Sequence, residues 1–475
     1  MTIIIRILQI LVENLNYLVL FYFLALNLFY LITTIFAFFA LRVYARRLKA
    51  INVEELITTA GAPPITLLAP AYNEEATCVE SVRALLALNY PEYEIIVIND
   101  GSADNTMSRL TEAFDLQPAA RVPMAEIPSA TIKGLYRSQH QPNLWAIDKA
   151  NGGKADALNA GLKFCRTPLF CAMDADSILE RDALIRIVRP FLEDARTIAA
   201  GGIIRIVNDC TIKAGTLMEI RLPRNIWAKF QVLEYLRAFL SGRMGWSALD
   251  ATLIISGAFG MFKRPAVVEV GGYATDTVGE DMELVVRLHR RFREQRIPYK
   301  ISFVPDPVAW TECPESTKIL GRQRDRWQRG LFEVLTRHRI MFLNPRYGRI
   351  GLLAYPYFYL LEMLGPAIEM PGYVAFLVAL IMGTVSVPFI IAFFMAAFIF
   401  GVALSVFSVA LEELTFRRYP RTIDLLKLFM LAVVENFGYR QLTIYWRMHG
   451  FISALRKVQG WGKMERKGFK TETST

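Results

Sequence analysis

The chain has 475 residues, of which 53% are hydrophobic and 12% aromatic; this is more apolar than one soluble core needs, so part of it is expected to lie in lipid. Its formal charge of +10 would suit a polyanionic partner, but the basic residues flank apolar runs instead of lining one soluble face. Nucleic acid is excluded as a partner on that ground.

In chain order, the first element is an uncharged run from Asn14 to Leu41. About 20 apolar residues suffice to cross a bilayer as a helix, so this run makes one span. It is too long for a signal-peptide core and has no small-residue cleavage site ahead of its basic flank, so residues 1–48 read as a retained anchor. Arg42, Arg46, Arg47 and Lys49 follow this run, and Arg417, Arg418 and Arg421 follow the last long apolar stretch; positive residues beside spans stay cytoplasmic. The N-terminus is then outside, and residues 60–330 form a cytoplasmic domain on a multi-pass protein of the inner (plasma) membrane. Five cysteines without paired spacing and four scattered histidines fit a reduced compartment and speak against a thiolate or imidazole metal site.

From Ile65 short apolar runs alternate with helical stretches. Ile65–Ala69, Glu94–Ile98 and Leu169–Met173 read as buried strands, and Glu74–Leu88 and Lys154–Phe164 as helices. This alternation predicts an α/β domain with a mainly parallel sheet covered by helices. Ligands of such sheets sit beyond the carboxyl ends of the strands, where this sequence is polar and acidic. The first strand runs into Pro70-Ala71-Tyr72-Asn73-Glu74, and the second into Asn99-Asp100-Gly101-Ser102, which reads equally as plain turn and cap chemistry. The third ends in Asp174-Ala175-Asp176, two carboxylates able to share a hard divalent cation, Mg²⁺ or Mn²⁺. Lys154, at a helix start behind two glycines, can reach a diphosphate or simply cap the helix at the surface.

Further on stand Gly279-Glu280-Asp281 and Gln323-Arg324-Asp325-Arg326-Trp327. Together with Gly153-Lys154-Ala155 and the strand-end motifs, and in this order, these residues resemble the processive branch of glycosyltransferase family 2, the cellulose, hyaluronan and poly-N-acetylglucosamine synthases. The resemblance covers roughly Pro64 to Arg329, and the last type is nearest in size and layout. Asn99 stands where the family often has aspartate, and Gly279 where threonine is frequent; neither change removes a carboxylate. The resemblance implies a GT-A-type fold inserted between N- and C-terminal membrane helices. It also implies an inverting hexosyltransferase that moves sugar from a UDP-sugar, such as UDP-GlcNAc or UDP-glucose, to a growing β-linked saccharide acceptor, coupled to export. By the same resemblance Asp176 is the metal ligand, and Asp281, with Glu280 as its rival, is the base that takes the acceptor's proton. Tyr72, Glu74, Asp100, Lys154, Asp174, Gln323 and Arg326 bind the donor, and Trp327 offers a flat face to the acceptor sugar. Small residues let backbone approach a ligand, so Gly257 and Ala258 are also placed at the acceptor. On their residues alone, Gln323 to Trp327 read as an amphipathic helix at the membrane surface, since Arg and Trp favour that interface.

The remainder, residues 331–460, reads as interfacial and membrane helices, and residues 461–475 as a cytoplasmic tail. Arg349 to Met382 exceeds one span and contains Pro366, which predicts an interfacial helix before a crossing, or one kinked crossing. Gly383 to Pro388 turns the chain, and Phe389 to Leu411 returns. Leu425 to Trp446 carries Lys427, Glu435 and Arg440, charges that are costly within lipid, so it is expected to be interfacial or re-entrant. Three or so spans are few for a complete pore, which leaves room for a small membrane partner or self-association. Two other functions remain open: a non-processive transferase to a lipid phosphate, and a non-catalytic membrane scaffold or receptor.

Overall fold

The computed structural model describes residues 2–50, 61–174, 177–213, 216–419 and 421–457. Asp176 and the tail 461–475 lie outside them.

Among the described residues the central region holds twelve strands: β1 (Ile65–Ala71), β2 (Tyr93–Asp100), β3 (Leu116–Pro118), β4 (Ile132–Ser138), β5 (Leu144–Lys149), β6 (Leu169–Met173), β7 (Ile178–Leu179), β8 (Thr197–Ile206), β9 (Thr211–Lys213), β10 (Thr216–Glu219), β11 (Phe259–Lys263) and β12 (Lys300–Thr311). β9 and β10 form a separate ribbon, and the rest make one sheet in the order β3-β4-β5-β2-β1-β6-β11-β8-β12-β7. Pairing directions give the mainly parallel sheet expected: β1, β2, β3, β5, β6, β8 and β12 point one way, and β4, β7 and β11 the other. Successive side chains of a strand face opposite ways, and both faces of this sheet are covered. Leu67, Ile95 and Val97 pack with Val82, Leu184 and Val188 on one face. Leu68, Ile96 and Ile98 pack on the other with Leu158, Leu162 and Leu284, from helices Lys154–Phe164 and Glu280–Glu294.

The long N-terminal helix Thr2–Ala50 contains one of the two stretches among the described residues that are long and apolar enough to cross a membrane, Val12–Leu48; the other is Val387–Thr415. A third is possible if Ile350–Met363 and Gly365–Ile381, bent by 43° about Leu364, count together. The bend falls next to Pro366, and a turn at Gly383, whose φ is +67°, separates Gly365–Ile381 from the helix that starts at Val387. The segment read as interfacial or re-entrant divides into helices Thr422–Val434 and Tyr439–Leu455, broken next to Gly438, whose φ is +109°. The second lies along helix Thr317–Arg337: a Cβ on Gly450 would stand 2.6 Å from the Asp325 carbonyl oxygen, and one on Gly321 2.8 Å from the Trp446 indole nitrogen.

Candidate active site

The loops that leave β1 and β2 are stitched together. Ser102 Oγ accepts from the Asn73 N–H at 3.0 Å, and Asn73 Oδ1 accepts from the Ala103 N–H at 2.8 Å. Asn73 takes a left-handed φ of 55°, and the turn leaves Tyr72 half exposed at the rim of the cavity. Glu74 accepts from the Thr77 hydroxyl at 2.7 Å and also lines the cavity.

Asp100, buried at the end of β2, is ion-paired with the fully buried Lys149 of β5 and accepts from Gly152 N–H at 3.0 Å and Gly153 N–H at 2.8 Å. Lys149 also pairs with Asp156 at 2.7 Å. This triad fixes the Asn151–Gly153 turn, and with it the start of the helix that begins at Lys154. Any contact of Asp100 with a base or ribose therefore uses the lone pairs these partners leave.

Lys154 Nζ lies 2.5 Å from Asp174 Oδ1, 3.7 Å from Glu280 Oε1, and donates to the Gly257 carbonyl at 2.9 Å. Burial works against its charge, but Asp174, Glu280 and Asp281 outweigh that and hold its pKa above the usual lysine value. Glu280 is buried, which pushes its pKa up to about 7; Lys154 opposes this and Asp281 adds to it. Asp281, in the first turn of helix Glu280–Glu294, accepts from the Gly257 N–H at 2.9 Å and the Met282 N–H at 2.8 Å. Gly257 thus serves both charged groups through its backbone: a Cβ there would lie 2.8 Å from Lys154 Nζ and 3.4 Å from Asp281 Oδ2. Ala258 adjoins it on the cavity wall.

Helix Thr317–Arg337 brings Gln323, Arg326 and Trp327 to the same cavity. Glu333, farther along, accepts from the Thr277 hydroxyl at 2.8 Å and the Val278 N–H at 3.0 Å, which ties this helix to the loop before Glu280. Trp327 is 39% exposed, and the guanidinium of buried Arg324 lies 4.3 Å from its ring centroid. Arg324 is itself held by Glu234 at 2.6 Å.

Tyr72, Glu74, Asp100, Lys154, Asp174, Gly257, Ala258, Glu280, Asp281, Gln323, Arg326 and Trp327 all line one cavity of about 1570 Å³, larger than the roughly 300–1,000 Å³ of a small-molecule pocket. It continues between the N-terminal helix and the C-terminal helices, where Tyr30, Tyr357, Glu362, Tyr373 and Arg447 line it. There Glu362 pairs with Arg447 at 3.1 Å and accepts from Tyr30 at 2.9 Å. Among the described residues no cluster of three or more His, Cys, Asp or Glu is arranged around a metal position. Asp174, at the carboxyl end of β6 with its carboxylate partly exposed, supplies the hard oxygen chemistry a divalent cation takes.

Several residues of the site were not singled out from the sequence. Lys149 and Arg324 act through burial and pairing partners distant in the chain. Arg243, Phe239 and Trp246 line the cavity from a helical stretch, Ile226–Ala248. The available signal was a lone arginine in the otherwise uncharged run Ala238–Leu249.

Residues 63–330 match the profile described as "Glycosyltransferase like family 2". The chain is 31% identical over 321 residues to a poly-beta-1,6-N-acetyl-D-glucosamine synthase of Staphylococcus aureus (strain COL), an alignment covering 67% of this chain and 66% of that protein. It is 30% identical over 319 residues to the synthase of the same description from Staphylococcus epidermidis, with the same coverage. The chain thus spans just under two thirds of the length of these curated relatives. Among solved structures, a mannosyltransferase from Pyrobaculum calidifontis in complex with GDP-Man and Mn²⁺ aligns over 87% of this chain and 99% of its own, with a TM-score of 0.48 and 20% identity.

Proposed function

We propose a specific reaction for this chain from one premise: it belongs to glycosyltransferase family 2 and is a glycosyltransferase. In that reaction it transfers a sugar from a UDP-sugar to the end of a membrane-associated, β-linked polysaccharide, with its catalytic domain in the cytoplasm, and passes the product toward the bilayer. The observation that carries this reading is the single cavity that joins the carboxylates around Lys154 to polar residues between the membrane helices. Charged groups at membrane depth are costly, and where they occur they usually mark a polar path.

The donor nucleotide packs against Tyr72, on the turn that Asn73 and Ser102 stitch together, Asp100 accepts from its base or ribose with the lone pairs its partners leave, and Glu74 supports that rim. Lys154 and Arg326 receive the diphosphate, with Gln323 adding a neutral hydrogen bond. Asp176 and Asp174 would hold Mg²⁺ or Mn²⁺, which when bound offsets the negative charge on the departing diphosphate. The acceptor sugar rests against Trp327 and the backbone of Gly257 and Ala258. Asp281 takes the proton of the attacking hydroxyl as the new bond forms at the anomeric carbon and the bond to UDP breaks. Glu280, beside it, helps hold Lys154 in place. A single displacement inverts the centre, so an α-linked donor yields a β linkage.

The description of the staphylococcal relatives makes N-acetylglucosamine the first sugar to test. Membranes containing the protein, given labelled UDP-GlcNAc or UDP-glucose with Mg²⁺ or Mn²⁺, are expected to release UDP and build labelled polymer, and to stop when a chelator is added. Absence of turnover with every UDP-sugar, or full turnover with chelator present, would contradict the assignment.

A further inference from the structure

The stretch Ile226–Ala248 is one helical path with a wide π turn, Leu236–Gly242, that ends immediately before Arg243. Such turns re-aim the side chains beside them and recur at functional sites. Within this helix Gly245 abuts the N-terminal helix, since a Cβ there would lie 2.3 Å from the Thr33 carbonyl oxygen. Phe239 and Arg243 face the cavity, with the guanidinium 3.9 Å from the Phe239 ring centroid.

The guanidinium lies over that ring, and its Nη1 is buried with no hydrogen bond. Burial pulls the Arg243 pKa down to about 10, while Asp281 pulls it up, so the group stays charged at neutral pH beside the proposed base. A buried cationic donor without an acceptor is expensive, and a ligand with oxygen lone pairs relieves that cost. Both a saccharide and a diphosphate have such oxygens. Lys154 and Arg326 already serve the diphosphate, whereas Arg243 comes from the helix that borders the membrane part of the cavity. One turn on, Trp246 also lines the cavity, its ring 4.9 Å from Tyr357 and 5.8 Å from Phe358. Flat rings that take the C–H face of a sugar, next to donors that take its hydroxyls, are the chemistry of saccharide recognition.

We propose that Arg243 is an acceptor-binding residue, donating hydrogen bonds to oxygens of the saccharide whose attacking hydroxyl faces Asp281. The proposal rests on the polysaccharide-synthase reading above. With the full chain in membranes, Arg243→Ala is expected to keep UDP affinity within about twofold, to lose about tenfold or more in sugar incorporation, and to go on releasing UDP to water. The ratio of UDP released to sugar incorporated therefore rises about fivefold or more, and Arg243→Lys recovers part of the loss. If Arg243→Ala fails to fold, seen as no UDP binding, Arg243→Gln carries the same expectation. A donor KM raised about tenfold at an unchanged ratio would assign Arg243 to the diphosphate and overturn the proposal. Unchanged values throughout would reduce it to packing on Phe239. An unmutated protein that releases UDP from no nucleotide sugar would instead sink the underlying reading, which keeps the two failures distinct.

Discussion

Asp281 enters the cavity with both carboxylate oxygens oriented by backbone N–H groups, one of them from Gly257, which also binds Lys154. Base and cation are therefore positioned by one loop, and they are separable by mutation. Asp281→Asn keeps the shape but cannot accept the proton, so turnover is expected to fall by about 10²–10⁴ while UDP titration gives near-native affinity. Loss of UDP binding with residual turnover of bound donor would reverse the assignment. Glu280 gives a second prediction through pH. Burial raises its pKa from 4.5 to about 7 in the folded protein, so the folded state holds a proton that the unfolded carboxyl releases. Its stabilising contribution is complete below the unfolded value and is lost as pH rises through about 7. Thermal unfolding in detergent should show the native protein losing stability across that window relative to Glu280→Gln, and parallel pH profiles would contradict this. The acids and Lys154 were legible in the sequence because each stands in a short contiguous motif at an element's end. The pairing of Asp100 was not, because Lys149 is 49 residues away and meets it only through the register of β2 on β5.

Among the elements, strands β1, β2 and β6 were legible from their apolar runs, and helix Lys154–Phe164 begins and ends where the pattern placed it. The helix expected from Glu74 starts only at Cys78. Polar side chains compete for its first turn: Thr106 Oγ1 accepts from Glu74 N–H at 2.9 Å, and Asp104 from Glu75 N–H at 3.1 Å. These partners lie across the loop after β2, beyond what local propensity reads. At the site Gly279 and Gly330 meet backbone to backbone, so that a Cβ on Gly330 would come within 3.0 Å of Gly279 Cα. That approach lets helix Thr317–Arg337 set Trp327 beside helix Glu280–Glu294. Gly330→Val should wedge the two apart, costing about 1–3 kcal/mol of stability and lowering polymer synthesis more than UDP affinity. Polymer yield and UDP titration on one preparation check it; native synthesis would show that the approach is not needed.

At the scale of the whole molecule, the sheet is joined to the long apolar helices by buried and half-buried polar contacts. Arg205 of β8 forms a buried ion pair with Glu412 of helix Phe400–Thr415, and Tyr44 donates to Asp306 at 3.0 Å. Removing one member of a buried pair leaves the other uncompensated, so Glu412→Ala should destabilise the protein by about 3–5 kcal/mol, read as a lowered unfolding temperature, with Arg205→Met in the same chain recovering much of it. An unchanged transition in Glu412→Ala would show that the pair contributes nothing. The helices long and apolar enough to cross a membrane were legible from charge-free runs, but the cavity beside them was not, because it is lined by residues as far apart as Tyr30 and Arg447. In the proposed reaction this cavity keeps the growing chain at the site while sugars are added. Product length at low conversion of labelled UDP-sugar tests it most directly, with Asp281→Asn as the blank. Long polymer should appear while most of the donor remains and short intermediates are scarce; a single-sugar product, or a ladder of short oligosaccharides that lengthens evenly with time, would contradict it.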